Sequence, residues 1–167
     1  RVGLGFAGAS SSGRNLSDYD TPGAFPIIAQ AAGNVSSLTV YCNASEAGVN
    51  ALVGFYTDNN GSPDSLMGFG TFSMGSTGYV TQTSFSATIT LEAGKAYWIV
   101  FGNDDNTTST ASLRRITDTQ GFGIVEDNSY EYPWTGWTHS GATESLPSTF
   151  TASAGRFFRP LAYYSVS

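Results

Sequence analysis

Charge, cysteine and histidine are all scarce in this chain. Of its 167 residues, 12% are Asp, Glu, Lys or Arg, about half the share of roughly 25% found in ordinary soluble domains. One cysteine excludes an intrachain disulfide framework. That residue, Cys42, ends the alternating run Leu38-Thr39-Val40-Tyr41-Cys42 on its apolar side, which reads as a buried, inert thiol. One histidine, His139 in Trp137-Thr138-His139-Ser140-Gly141, is a poor start for Ser-His-Asp chemistry, and no Gly-x-Ser-x-Gly elbow accompanies it. His139 therefore reads as a loop residue. The seven basic residues, Arg1, Arg14, Lys95, Arg114, Arg115, Arg156 and Arg159, are scattered and form no stripe to neutralise a phosphate backbone, so nucleic acid is not an expected partner. No apolar run approaches the roughly 20 residues of a membrane-spanning helix. No charged segment followed by an apolar one opens the chain, so membrane insertion is not expected. The start at Arg1, without methionine, reads as a processed protein or an excised fragment.

What is present favours a folded β domain. Hydrophobic residues make up 40% and aromatics 14%, with a net charge of -6, a combination that resists disorder. With so little charge, the polar surface must be built from Ser, Thr, Asn and Gly. The length suits one domain spanning residues 1–167. No segment sustains a 3.6-residue apolar period, whereas period two recurs in Val49, Ala51, Val53, Phe55 and in Phe85, Ala87, Ile89, Leu91. Strands are expected over Val2 to Ala7, Ile27 to Ala31, Ser37 to Asn43, Val49 to Thr57, Gly68 to Met74, Thr81 to Leu91, Ala96 to Gly102, Ser112 to Ile116, Gly121 to Val125 and Arg156 to Ser165. Turn signals at Asn59-Asn60-Gly61-Ser62-Pro63 and Glu92-Ala93-Gly94-Lys95 separate them, as two stacked antiparallel sheets require. The expected fold is all-β, a two-sheet antiparallel β-sandwich of jelly-roll-like kind. Asn-X-Ser/Thr triplets begin at Asn15, Asn34, Asn43, Asn60 and Asn106. Most are expected in turns, where they fit an extracellular setting.

The residues Phe55-Tyr56-Thr57-Asp58, Gly61-Ser62-Pro63 and Leu66, followed by Leu91-Glu92-Ala93-Gly94-Lys95-Ala96-Tyr97-Trp98, form a Y-x-D-x-x-G-x-P turn and a later aGxxYW strand. In these, the stretch from about Ser36 to Phe101 resembles a β-sandwich domain of secreted and surface-anchored prokaryotic proteins, including choice-of-anchor domains, and of tailed-phage appendages. The resemblance covers less than half the chain. It implies a scaffold used for adhesion, sugar binding or assembly, with no shared catalytic signature to carry over.

Four further groups of residues invite a functional reading. A glycosidase needs two carboxyl groups across a cleft, and the acids cluster at Asp104, Asp105, Glu126, Asp127 and Glu131. Adjacent pairs such as Asp104-Asp105 more often serve turns, so an enzyme is not expected. Oxygen-bearing side chains alternate at Asp58, Asn60, Ser62 and Asp64, which makes calcium conceivable, but Gly61 stands fourth where an EF-hand loop needs its glycine sixth, and Phe69 occupies the twelfth position in place of the bidentate glutamate. No other cofactor is expected. The segment Tyr130-Glu131-Tyr132-Pro133-Trp134-Thr135-Gly136-Trp137 reads as an aromatic loop. Its Tyr130, Tyr132, Trp134 and Trp137 could stack on glycans, with Glu131 or Asp127 accepting hydroxyl hydrogen bonds, or the rings could pack as a lid. At the N-terminus, Val2, Leu4 and Phe6 alternate with Gly3, Gly5 and Ala7, and Gly8-Ala9-Ser10-Ser11-Ser12-Gly13 reads as a hinge. Such a strand can pair within its own domain or complete a neighbour's sheet, and head-to-tail exchange would propagate a filament.

The expectation is therefore a non-catalytic structural subunit of an extracellular assembly, a cell-surface filament or a virion appendage. It would self-associate through N-terminal strand exchange at Val2, Leu4 and Phe6. The alternative is a carbohydrate-binding or adhesion module using exposed aromatics. A hydrolase is the least supported reading.

Overall fold

A computed structural model of the chain describes residues 2–3, 9–104, 109–116, 137–140, 145–154 and 162–167. Its thirteen strands are β1 (Val2–Gly3), β2 (Ala9–Asn15), β3 (Gly23–Ile28), β4 (Gly33–Ala44), β5 (Asn50–Asn59), β6 (Ser62–Ser73), β7 (Gly78–Gln82), β8 (Thr90–Leu91), β9 (Ala96–Asn103), β10 (Ser112–Ile116), β11 (Trp137–His139), β12 (Ala152–Ala154) and β13 (Ala162–Val166). A 3-10 turn at Leu16–Tyr19 is the one helical element among the described residues. The strands form two antiparallel sheets. The first runs β1-β13-β4-β10-β2, with β7 and β8 also paired to β4, and the second runs β12-β11-β3-β9-β5-β6. The all-β, two-sheet antiparallel architecture matches the sequence expectation.

Period two explains the layer between the sheets. Leu38, Val40 and Cys42 of β4 face Phe25 and Ile27 of β3, Ala51, Val53 and Phe55 of β5, and Tyr97, Ile99 and Phe101 of β9 in one buried cluster. Phe55 and Tyr164 meet edge to face across the two sheets, with centroids 5.7 Å apart. Val35 and Leu38 are both buried although an odd step, across Ser36 and Ser37, separates them, because the pairing with β13 shifts register between Ser165 and Val166. A bulge of that kind inverts the phase of the alternation, so it restores an inward-facing Val35. Cys42 is buried, as the alternation predicts, and burial raises the pKa of its thiol.

The central strands of the six-stranded sheet are buried on both faces. Ala24, Leu52, Tyr56, Trp98 and Val100 point away from the inter-sheet core and pack with Leu146 and Phe150 in a second cluster. The unbroken apolar run Tyr97-Trp98-Ile99-Val100-Phe101 has this cause, since a strand buried on one face alone would alternate. Residues 145–152 form the cover. Leu66 N–H donates to Ser148 O, Phe150 N–H donates to Asp64 O, and Ser65 bridges Thr149. Leu146 fits because two neighbours lack side chains: a Cβ on Gly54 would lie 2.7 Å, and one on Gly102 2.8 Å, from its methyl groups.

Several elements differ from the sequence reading. The stretch Thr81 to Leu91 is not one strand. The chain leaves β7, and Ser86 pairs with Phe69 of β6 through both its N–H and its hydroxyl before the chain returns to β4 as β8. Its alternating residues serve a crossing between sheets. β6 starts at Ser62, ahead of the expected Gly68, because Asn60 and Gly61, with φ of 51° and 83°, turn the chain tightly enough for Asn59 to pair with Ser62. Two positive φ values in a two-residue loop match the twist of the flanking strands. The small-residue segment expected as a hinge is strand from Ala9 onward and pairs with β10 through Asn15, Arg14, Gly13 and Ala9. His139 lies in a strand, β11, held between β3 and β12. Asn15, Asn34 and Asn43 also lie in strands, leaving Asn60 as the triplet asparagine seen in a turn. The strand expected over Gly121 to Val125 and the triplet at Asn106 lie outside the described residues.

Candidate functional site

The residues of the Y-x-D-x-x-G-x-P turn and the aGxxYW strand include several structural ties. Asp58 accepts a hydrogen bond from the Trp98 indole at 2.7 Å and one from Gly61 N–H at 3.3 Å, so its two oxygens lock the hairpin turn to the neighbouring strand. Thr57 Oγ1 accepts from Ser65 N–H at 3.1 Å. Tyr56 donates its hydroxyl hydrogen bond to Pro147 O, fastening the cover, and burial pushes its phenol well above the ordinary range. Tyr97 Oη accepts from Glu92 N–H at 3.0 Å, and Lys95 pairs with Glu92 at 2.7 Å across the turn in which Gly94 takes a φ of 78°. Tyr56, Thr57, Asp58, Glu92, Lys95, Tyr97 and Trp98 are thus engaged in holding turns and strands.

The calcium loop has the same character. Besides the engagement of Asp58, the Asn60 amide donates to Asn59 Oδ1 and Asp64 Oδ2 accepts from Ser65 Oγ at 3.0 Å. Among the described residues, no group of three or more His, Cys, Asp or Glu side chains comes together to hold a metal ion.

Of the five aromatic-loop residues, Trp137 is described, and it begins β11 as part of a strand. Tyr130, Glu131, Tyr132 and Trp134 lie outside the described residues, as do Asp105, Glu126 and Asp127. Trp137 is half-buried against the cover cluster, and its indole donates to Gly61 O at 3.0 Å. His139 Nδ1 accepts from Thr151 N–H at 3.0 Å and its ring meets Phe150 edge to face at 5.3 Å, an arrangement that orients the cover. Partial burial lowers the imidazole pKa. Asp104 accepts from Asn50 through both its backbone N–H and its side-chain amide, at 3.0 and 2.6 Å. Nearby in the chain, Glu46 was silent in the sequence. Its Oε2 accepts from Thr110 N–H, Ser109 Oγ, Thr110 Oγ1 and Ala111 N–H, which together hold its carboxyl below the usual range. Nothing local in Ser45-Glu46-Ala47-Gly48 signals a partner more than sixty residues away.

The N-terminal segment occupies an edge. β1 pairs antiparallel with β13 through Val2↔Tyr164 and Gly3↔Tyr163, and β2 flanks β10. Leu4 and Phe6 lie outside the described residues. Among the described residues, no strand pairs with the far side of β1 or β2. The outer edge of β6, in contrast, is covered by residues 148–150 at one end and by Gln82 and Ser86 at the other, where Gln82 Nε2 donates to Thr71 O at 2.9 Å. Among the described residues, β7 and β12, like β1 and β2, each pair with one strand alone.

The chain was compared with protein-family models, with curated proteins and with solved structures, and no match was found in any of the three.

Proposed function

We propose that this domain is a non-catalytic structural subunit of an extracellular assembly, a cell-surface filament or a virion appendage of the kind its partial family resemblance implies. Subunits would be joined along the N-terminal edge. The observation that carries this reading is the position of β1: a two-residue ladder at the outer margin of the seven-stranded sheet. A short edge strand is cheaply exchanged between copies, because its release disturbs few contacts and a neighbour offers the same register. Head-to-tail exchange propagates into a filament where the rotation between subunits does not close a ring. Because Ala9–Asn15 is strand, the exchanged unit ends before Ala9, at the segment joining β1 to β2. A surface of short polar side chains, poor in charge, supports an extracellular setting for such an array.

The register supplies a direct test. Gly3 and Tyr163 are opposed Cα partners, and directly opposed antiparallel residues lie about 4.5 to 5.5 Å apart, within disulfide range. A Gly3→Cys, Tyr163→Cys double variant oxidised after concentration should give a ladder of cross-linked multimers on a non-reducing gel. Removing Arg1 to Gly8 should abolish the multimers and leave a folded domain by circular dichroism. Cross-links confined to single chains, or assembly that survives the truncation, would refute exchange.

A further inference from the structure

The outer face of the seven-stranded sheet carries a row of three side chains that the scaffold does not use. Leu38, Val40 and Cys42 point into the core, so Thr39 and Tyr41 face outward from β4. Register sets Tyr41 opposite Tyr79 and Thr39 opposite Thr81 on β7. The two tyrosine rings meet edge to face, with centroids 4.9 Å apart and planes at 90°, while the two threonine hydroxyls share a hydrogen bond of 2.8 Å. On the other flank, the Arg114 guanidinium of β10 lies 4.3 Å from the centre of the Tyr41 ring. The row Arg114–Tyr41–Tyr79 therefore crosses three strands.

Two features of this row point to a ligand. Tyr79 is 65% exposed, an unusual setting for a large ring that already has an aromatic neighbour. Arg114 Nε is shut from solvent with no acceptor. Among the described residues, the ion pair formed is Lys95 with Glu92, so no carboxylate of the described chain reaches Arg114. Arg114 is half-buried with its guanidinium on the Tyr41 ring, in a chain with 13 acidic against 7 basic residues. Burying a donor without a partner costs free energy, and a planar guanidinium answers best to a carboxylate.

We infer that this row binds a carboxylate-bearing saccharide, a polymer of uronic-acid type. The open Tyr79 ring receives the C–H face of a pyranose, Arg114 takes the carboxylate, and the Thr39 and Thr81 hydroxyls face the sugar hydroxyls. A saccharide fits better than an acidic peptide, because the apolar area is a single ring bordered by hydroxyls, whereas a protein interface needs a broader apolar centre. The site does not include β1, the strand proposed for exchange, so either proposal can stand without the other.

Isothermal titration calorimetry with oligogalacturonate, its methyl ester and polyglutamate of matched length tests the inference. Oligogalacturonate should bind, and the ester and polyglutamate should each bind about tenfold more weakly or worse, as expected for loss of one charge-assisted contact or of the stacking surface. Tyr79→Ala and Arg114→Gln should each weaken binding by about tenfold, while Tyr79→Phe retains it, with near-ultraviolet circular dichroism confirming the fold of each. The inference is overturned if oligogalacturonate does not bind, if polyglutamate or the ester binds as tightly, or if the folded Tyr79→Ala or Arg114→Gln variant binds like the parent.

Discussion

The two sheets of this domain share one core yet treat their outer faces in opposite ways. On the six-stranded sheet, Leu52, Tyr56, Trp98 and Val100 are covered by the segment carrying Leu146 and Phe150, and each polar atom brought into the cluster has a partner: Tyr56 with Pro147 O, and the Trp98 indole with Asp58. On the seven-stranded sheet, Tyr41, Tyr79 and Arg114 lie on an open face, with a ring exposed and a guanidinium nitrogen unanswered. The difference separates stability from availability. Aromatic residues with satisfied polar atoms under a cover are architecture, and aromatic residues left open beside a stacked cation are available for binding.

The largest expected effect is a stability contrast between the two faces. Trp98→Ala should destabilise by about 3–5 kcal/mol, by removing a buried indole and orphaning Asp58, whereas Tyr79→Ala should cost about 1 kcal/mol or less, the worth of one exposed aromatic pair. Urea unfolding of both variants measures the ratio, and equal losses would erase the distinction drawn between the faces.

A smaller effect tests whether the cover is fitted. Gly54→Ala would set a methyl against Leu146, Gly68 O and Phe69, at a cost of about 1–3 kcal/mol for overpacking. Adding Leu146→Ala should make Gly54→Ala less costly in the double variant, because the first obstacle is gone. A double-mutant cycle showing strict additivity would mean that Leu146 does not sit against Gly54.

The smallest effect is pH dependence confined to the covered face. The His139 pKa is lowered by burial, so the folded state favours the neutral imidazole and the unfolded state binds protons first. Stability from this source is present above the unfolded value of 6.5 and is lost as pH falls through the lower folded value. Protonation also removes the acceptor for Thr151 N–H. Hydrogen exchange of residues 148–151 should accelerate as pH falls below 6.5, beyond the intrinsic chemical trend, while β4 and β7 show no such step. A His139→Gln variant should abolish the step.

Much of the scaffold was legible in the sequence because its signals are local. Alternation placed Val53, Phe55 and Cys42 in the core, and Asn60-Gly61 marked its turn because both positions accept a positive φ. Signals failed where the deciding partner is distant. The alternating Phe85 to Leu91 looked like a strand, but β6 draws Ser86 out of the sheet. Ala9 to Gly13 looked like a hinge, because small residues carry no pattern, yet an available β10 edge turned that segment into strand. The motif Tyr56, Asp58 and Trp98 was visible, but its use as an anchor for residues 58–61 and 147 was not.

The candidate binding face was less legible. Tyr41, Tyr79 and Arg114 are scattered over more than seventy residues in unremarkable contexts, and the concentrated aromatics of Tyr130 to Trp137 drew attention away from them. Trp137, the described member of that segment, proves to be tied to Gly61 O.

By itself the sequence determined the all-β class, the identity of the inward-facing residues and the tight turn at Asn60-Gly61, because side-chain alternation and backbone preference act between near neighbours. The tertiary structure alone decided which apolar face received a cover and which stayed open. That choice rests on Leu146 meeting the bare backbones of Gly54 and Gly102, and on a strand register that brings Arg114, Tyr41 and Tyr79 into one row. Contacts between residues this far apart follow from the path of the whole chain, and no local pattern encodes them.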